Sequence, residues 1–299
     1  MKRLQILLVV VMTTAFLLTA CGGAAPAGGD VLSDIKARGY ILVSTDPNYE
    51  PQSFLNTSGK RPAETKCPSD ALTTAEMQGF DVDVAAELGK RLGVETCFAT
   101  PDWDVITAGN WANKWDVSVG SMTILPDRQK VLDFTSAYYY TPAVVAVAAN
   151  SGITSLDQLS GKSLCVAAAT TYEAWLNGTL DLPAENIYTQ PPAGIKQVVL
   201  PTDQECAQAI QAGRTDFVGY ATNETVVDSN ISNGLAVVKV GRPIFAENLA
   251  AAVDKASSKP TASLLAALNG FIKDMHADGT LTAISTKWFG ADLTQDPTK

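Results

Sequence analysis

Apolar and polar positions follow two rhythms along this chain. Across residues 80–92, Val84, Leu88 and Leu92 recur every four residues and the pattern stops at Gly93, so the segment reads as an amphipathic helix with a glycine terminator. A second helical stretch covers Asp203 to Ala212, and a longer one runs from about Thr261 to Ala277. Short runs rich in β-branched residues lie between them. Tyr40 to Thr45, bounded by Asp46-Pro47, is the first, followed by Asp116 to Met122, Val131 to Thr135, Ala143 to Ala149 and Ser163 to Ala169. Thr215 to Ala221, Leu235 to Val240 and Leu249 to Val253 complete the strand-like set. Ser155 is placed to cap a short turn that ends at Gly161. Strands alternating with helices predict an α/β protein with largely parallel sheets. Asn56 to Thr74 breaks the rhythm: it is polar, holds Pro62, Cys67 and Pro68, and reads as a surface insertion.

The first residues carry an address. Lys2 and Arg3 precede an almost wholly apolar run from Leu4 to Leu18, and small residues then lead into Cys21. This is the pattern of a bacterial lipoprotein signal, residues 1–20, cleaved so that Cys21 becomes the lipidated N-terminus. The apolar run falls short of the ~20 residues a spanning helix needs. Gly22 to Gly29 is rich in Gly, Ala and Pro and reads as a flexible tether, so that 21–30 link lipid to fold.

Charge narrows the partners. The net charge is -9, and cleavage before Cys21 removes Lys2 and Arg3, leaving the mature chain more acidic still. That argues against nucleic acid and against electrostatic attachment to anionic lipid. Apolar residues make up 46% and charged ones 18%, which predicts a globular protein with a substantial core. At this length two lobes are expected rather than one. With Cys21 set aside, Cys67, Cys97, Cys165 and Cys206 form an even set in an oxidising compartment, so two disulfides are expected and three pairings are open. The wide cysteine spacing and the single histidine, His276, argue against a metal site, and no cofactor motif is present.

Several segments, taken in order, carry a resemblance. Thr45-Asp46-Pro47-Asn48-Tyr49-Glu50-Pro51 precedes Gly79-Phe80-Asp81-Val82-Asp83-Val84-Ala85, then Asp102-Trp103-Asp104. Trp115-Asp116-Val117-Ser118-Val119-Gly120-Ser121-Met122-Thr123 follows and leads into Ile124-Leu125-Pro126-Asp127-Arg128. Leu132-Asp133-Phe134, Tyr138 to Tyr140, Gly213-Arg214-Thr215-Asp216, Asp278-Gly279-Thr280-Leu281 and Lys287-Trp288-Phe289-Gly290 continue it. Together they resemble the amino-acid-binding family of extracellular solute-binding proteins, family 3, over nearly the whole mature chain. The resemblance implies a type II periplasmic-binding-protein fold, with two α/β lobes joined by two hinge strands and a ligand cleft between them. Lobe 1 would be 31–141 with 248–299 and lobe 2 would be 142–247, with hinges near Thr141 to Ala149 and Asn248 to Val253. The cysteine pairing that keeps each bond within one lobe is Cys67 with Cys97 and Cys165 with Cys206.

The resemblance also implies site residues. Arg128 would grip a ligand α-carboxylate, and the planar guanidinium fork suits a bidentate contact that lysine cannot reproduce. Ser121 and Thr123 would add hydrogen bonds, and Gly120 would allow close backbone approach. Thr170 and Thr171 would hold the carboxylate from lobe 2, although Thr170 also suits a plain helix cap. Tyr49 and Trp103 would flank the ligand side chain. Asp46 matches a position that contacts a cationic side chain in some members, and Asp before Pro is also an ordinary turn former. One departure stands out. Many members carry an aspartate for the ligand α-ammonium where this chain has Ala221. Either another acid substitutes, with Glu224 the candidate, or the ligand lacks a primary α-amine.

The expected function is therefore an extracytoplasmic binding lipoprotein that captures a small carboxylate-bearing solute, an amino acid above all, for an ABC importer. Its partners would be that solute, the permease and the membrane reached through Cys21, with the protein itself a monomer. A receptor reporting to a membrane sensor is the alternative. A periplasmic dehydratase-like enzyme, as a few relatives of this fold are, is a further and disfavoured alternative: the sequence has no Gly-rich phosphate loop and no Gly-x-Ser-x-Gly elbow.

Overall fold

The computed structural model describes residues 29–296. The signal segment 1–20 and Cys21 lie outside those residues, as does the tether up to residue 28. In chain order the elements are α1 (Val31–Arg38), β1 (Tyr40–Ser44), β2 (Asn48–Tyr49), β3 (Ser53–Leu55), β4 (Leu72–Thr73), β5 (Met77–Gln78), α2 (Phe80–Leu92) and β6 (Glu95–Ala99). Then come α3 (Trp103–Thr107), β7 (Val117–Thr123), α4 (Pro126–Gln129), β8 (Leu132–Ala148), β9 (Ser163–Ala167), α5 (Thr171–Leu176), β10 (Lys196–Leu200) and α6 (Asp203–Gln211). The chain continues through β11 (Gly219–Asn223), α7 (Glu224–Ser232), β12 (Val237–Asp254), α8 (Ala262–Ala277) and α9 (Thr280–Phe289).

Nine strands join in the order β10-β9-β11-β8-β12-β7-β1-β6-β4. The flanks are largely parallel, as expected: β1 pairs with β6 and β7, and β9 with β10 and β11, while the edge strand β4 runs antiparallel to β6. The centre is not. There β8 and β12 run antiparallel to each other along most of their length, from Leu132↔Asp254 to Ala148↔Val237, with register shifts on the way. The segments expected as four separate short strands (131–135, 143–149, 235–240 and 249–253) are thus the ends of two long ones. The polar residues between them, such as Thr141 and Glu247, stay extended because they continue the same ladder.

Two cores flank this central pair. The first is fed by residues such as Ile35, Val43, Phe80, Leu88, Tyr138, Leu249, Leu268 and Leu281. The second half of the sheet is covered on both faces. Ala143, Val145 and Val147 of β8 enter one cluster while Val144 and Ala146 enter the other, the period-two alternation of a strand buried on two sides. The 80–92 helix forms as read, ending at Gly93 with φ 76°. Its start depends on Gly79: at φ 132° a Cβ there would lie 2.2 Å from the Gln52 carbonyl oxygen.

The Asn56–Thr74 segment is mostly turns. It is held by the Cys67–Cys97 bond, by β4 pairing with β6, and by Arg61 donating to the carbonyls of Cys67, Pro68 and Ala71. Cys165 bonds Cys206, tying β9 to α6. Of the three open pairings the structure has the one that keeps each bond beside its own core.

Candidate functional site

A small cavity of about 30 Å³ lies where the two halves of the sheet face each other. It gathers Asp46, Tyr49, Trp103, Gly120, Ser121, Thr123, Arg128, Thr170 and Thr171, and adds Tyr172, Asp203 and Glu247. Glu224 is not among its walls.

The cation of the site comes from a sharp turn. β7 is buried along its whole length and delivers Gly120, Ser121 and Thr123 to the cavity. Pro126 then opens the one-turn helix α4, which carries Arg128 back over the strand end. Arg128 Nη1 donates to the Thr123 carbonyl at 3.1 Å, and Nη2 reaches across to the Ala169 carbonyl at 3.0 Å. Its guanidinium also stands 5.6 Å from the centre of the Trp103 ring. Burial lowers its pKa to about 10, with the negative charge of Glu247 opposing, so it is cationic at neutral pH.

Facing it is a carboxylate that the sequence reading passed over. Glu247, on β12, is 1% exposed. Its Oε1 accepts from the hydroxyls of Thr123 and Thr171, both at 2.6 Å, and its Oε2 accepts from Tyr172 at 3.0 Å. Burial raises its pKa, while these three hydroxyls and Arg128 oppose the rise. A carboxylate offers about four acceptor sites, so at least one remains for an incoming donor. Thr123 and Thr171, expected to meet a ligand directly, thus point at an acid of the protein itself.

Ser121 also departs from expectation. Held at φ 55°, it donates its amide to the Tyr138 hydroxyl at 2.9 Å and its own hydroxyl to Asp81 at 2.6 Å, with Tyr139 also 2.6 Å away. Tyr138 donates to the other oxygen of Asp81 at 2.7 Å. Both Ser121 groups expected to contact a ligand therefore have protein partners, at a residue that lines the cavity. Burial holds Asp81 up at about 7 despite these two donors.

Thr170 acts as a helix cap: its hydroxyl accepts from the Glu173 amide at 3.2 Å and donates to the Ala167 carbonyl at 2.7 Å. Glu173 returns its carboxylate to the Ala169 amide at 2.7 Å. Tyr49 and Tyr172 meet across the cleft, hydroxyl to hydroxyl at 3.2 Å. Trp103 buries its ring N–H without a partner. A Cβ on Gly120 would come 3.4 Å from the Thr45 hydroxyl and 3.7 Å from the Trp103 ring. Asp46 accepts the Asn48 amide at 2.8 Å, and burial raises its pKa, with Asp102 and Glu205 adding to the rise.

Asp203 opens α6 and is 5% exposed. Its Oδ1 has no hydrogen-bond partner. Burial pushes its pKa up to about 8 against the pull of the Thr222 hydroxyl and the Ala167 amide, and the charges of Asp46 and Glu247 add to the rise. Glu224 turns outward instead, 2.7 Å from Lys239, which also holds Asp228 at 2.8 Å. Ala221 is fully buried in the apolar cluster of Val145, Tyr172 and Phe245, so this position does not open onto the cavity.

Glu247 did leave a signal: it is a lone acid inside the apolar run Ile244 to Val253. Asp203 left none, because Thr202-Asp203-x-Glu205 reads as an ordinary helix start. Among the described residues, no cluster of three or more His, Cys, Asp or Glu is arranged to hold a metal, and no helix is long and apolar enough to cross a membrane.

The chain has relatives among known binding proteins. The chain is 30% identical over 270 residues to the L-cystine-binding protein TcyJ of Escherichia coli, covering 89% of this chain and 88% of that one. It is 27% identical to the L-cystine-binding protein TcyA of Bacillus subtilis, over 99% of this chain and all of the relative. Among solved structures, the ancestral amino acid-binding protein AncCDT-1, a precursor of cyclohexadienyl dehydratase, superposes with a TM-score of 0.69 at 28% identity, covering 86% and 99% of the two chains. The profile of the bacterial extracellular solute-binding proteins, family 3, matches residues 41–291. The chain belongs to that family.

Proposed function

We propose that this protein is a lipid-anchored receptor on the outer face of the cytoplasmic membrane or in the periplasm, that it captures an α-amino acid and that it hands it to an ABC permease. The observation that carries the reading is that a cation and an acid, Arg128 and Glu247, are both buried in the wall of one cavity. An α-carboxylate and an α-ammonium sit on one carbon atom, so a ligand presents opposite charges side by side. Arg128 takes the carboxylate, helped by the unpartnered N–H of Trp103. Glu247 takes the ammonium that the family aspartate would take at Ala221. Leaving either charge buried and unpaired would be costly, which makes both ends of the zwitterion selective.

Lobe 1 is 31–141 with 248–299 and lobe 2 is 142–247, and they close together on the ligand. Bridges from Tyr49 to Tyr172, Arg128 to Ala169, Gln52 to Thr225, and Glu50 to Ser229 and Asn233 favour closure. Binding involves no chemical turnover and no cofactor, the protein works as a monomer, and Cys21 carries the lipid.

The test is calorimetric titration of the mature chain without Cys21, using L-amino acids and their desamino counterparts. Amino acids bind, and loss of the amine costs at least a hundredfold. Equal affinity for the desamino acids would remove Glu247 from the site. The Arg128→Ala variant binds no α-carboxylate ligand, and retained affinity within threefold would remove Arg128.

A further inference from the structure

Two of the bridges between the lobes run through the cavity wall itself: Tyr49 to Tyr172, and Arg128 to the Ala169 carbonyl. Another, from Glu50 to Asn233, is exposed, so water competes for both partners. The bridge from Gln52 to Thr225 is of a third kind. Gln52 is fully buried, yet it does not line the cavity.

Gln52 lies in the turn between β2 and β3, and its backbone is tied to the site on both sides. Its amide donates to the Tyr49 carbonyl at 2.8 Å, and its carbonyl accepts the Asp81 amide at 2.8 Å. The side-chain nitrogen Nε2 carries two hydrogens. One goes to the Thr225 hydroxyl in the first turn of α7. Thr225 donates in turn to Asn223 Oδ1 at 2.9 Å, which also accepts from Thr141 of β8 at 2.8 Å. In the other direction the Gln52 side chain hydrogen-bonds the Tyr139 hydroxyl, which burial keeps un-ionised. Tyr139 stands 2.6 Å from Ser121 Oγ, whose own proton goes to Asp81. Tyr139 therefore donates to Ser121 and accepts from Gln52. Two directed chains thus start at one nitrogen. One runs through Ser121, in the cavity wall, to Asp81, and the other runs to Asn223 in lobe 2. Packing adds little at this point, since a crevice of about 230 Å³ lined by Pro51, Thr225, Ser229 and Trp288 lies beside the bridge.

We infer that Gln52 is a positioning residue for ligand capture: its amide holds Ser121 in the cavity wall and α7 of the other lobe in one arrangement, so that the site is complete only when the lobes are closed. This rests on the closure of the lobes argued above and not on the identity of the ligand. When the lobes part, Thr225 leaves with lobe 2 and the Gln52 amide loses one of its two partners. Without Gln52 the closed form is less populated. Every ligand then loses the same factor, because apparent affinity scales with the competent fraction. Loss of a residue that touches the ligand, such as Arg128, discriminates among ligands instead.

The test is calorimetric titration of the mature chain without Cys21 and of its Gln52→Leu, Thr225→Val and Thr225→Ser variants. The probes are the standard L-amino acids and L-cystine, and the two that the parent binds most tightly carry the comparison. Spin labels on Lys36→Cys in lobe 1 and Glu185→Cys in lobe 2, both exposed positions, report how far apart the lobes stand. Gln52→Leu weakens both ligands by about tenfold, by factors that agree within about twofold. Thr225→Val does the same, and the double variant is no weaker than the weaker single one. Thr225→Ser, which keeps the hydroxyl, stays within about threefold of the parent. In the two weakened variants the ligand-free distances move toward the longer, open value.

A parent-like affinity in Gln52→Leu, or a loss confined to one of the two ligands, overturns the inference. An additive double variant does so too, because Thr225 would then act independently of Gln52. If Gln52→Leu does not fold, Thr225→Val and its serine rescue decide alone. If the parent binds none of the probes, the amino-acid reading falls and the distances decide: longer ones in the variants sustain the role of Gln52, and unchanged ones end it.

Discussion

Asp81 and Asp203 are both enclosed carboxyls within the same ligand-binding architecture, and they are used in opposite ways. Asp81 lies under the cleft floor with one oxygen taken by Ser121 and the other by Tyr138. Asp203 lies in the cleft wall with Oδ1 unclaimed. Burial raises both pKa values, to about 7 and about 8. The two saturating donors beneath the floor make Asp81 part of the scaffold: they fix Ser121 at its unfavourable positive φ and so shape the end of β7. With Oδ1 unclaimed, Asp203 has capacity left over, and in a binding protein unclaimed capacity facing a cavity is where a ligand is recognised. Burial alone does not distinguish scaffold from site; what distinguishes them is which donors are already present.

Position 221 gives the largest expected effect that bears on this contrast. Restoring the family acid by Ala221→Asp puts a charge into the cluster of Val145, Tyr172 and Phe245, where nothing is placed to receive it. The cost is about 3 kcal/mol or more, and the variant melts far below the parent or fails to fold. A variant of normal stability that binds amino acids more tightly would mean that position 221 reaches the cleft after all, and Glu247 would lose its role.

Removing the scaffold acid ranks next. Asp81→Ala leaves the hydroxyls of Ser121 and Tyr138 without their acceptor, a loss of roughly 2 to 3 kcal/mol, or about 5 to 10 °C in melting midpoint. Asp203→Asn in the empty protein has the reverse sign, because it removes a carboxylate that folding desolvates. If both substitutions destabilise alike, Asp203 is scaffold too.

A pH titration separates the two acids within one molecule. Each has a folded pKa above its unfolded value of 3.8, so the folded state binds more protons between those limits. Stability is therefore fully present below about pH 4 for these groups and is lost as pH rises, by up to roughly 1.4 kcal/mol per unit for each. Burial raises Asp46 and Glu247 as well, and they act in the same direction. Melts of ligand-free protein between pH 5 and 8 show a falling midpoint, and Asp203→Asn weakens the decline most above pH 7. A decline that the variant reproduces in full assigns it to other groups.

The same contrast marks what could be read in the sequence. Helix 80–92 and the flanking strands were legible because their apolar spacing repeats locally. The central ladder was not, since β8 and β12 are stabilised by pairing with each other at long range, from Leu132 with Asp254 to Ala148 with Val237. Arg128, Tyr49 and Trp103 stood in recognisable segments. Thr123 and Thr171 did too, but their hydroxyls turn to Glu247, whose place depends on a long-range register no local pattern reveals. Asp203 was hidden because an acid at a helix start has an ordinary explanation in capping, and only the closed tertiary structure removes it from water.

The smallest expected effect tests the substitute acid that the sequence favoured. Glu224 pairs with Lys239, both about one-third exposed, and Lys239 keeps a second partner in Asp228. An exposed pair of this kind contributes about 0.5 kcal/mol or less, and Glu224 does not reach the cavity wall. Glu224→Gln should therefore shift the melting midpoint by no more than about 2 °C and leave amino-acid affinity within twofold. Glu247→Gln provides the scale, because it exchanges a buried acceptor for an amide in contact with three hydroxyls and faces Arg128. A fivefold or greater loss of affinity in Glu224→Gln, with Glu247→Gln near normal, would reverse the assignment and mean that α7 swings inward when ligand binds.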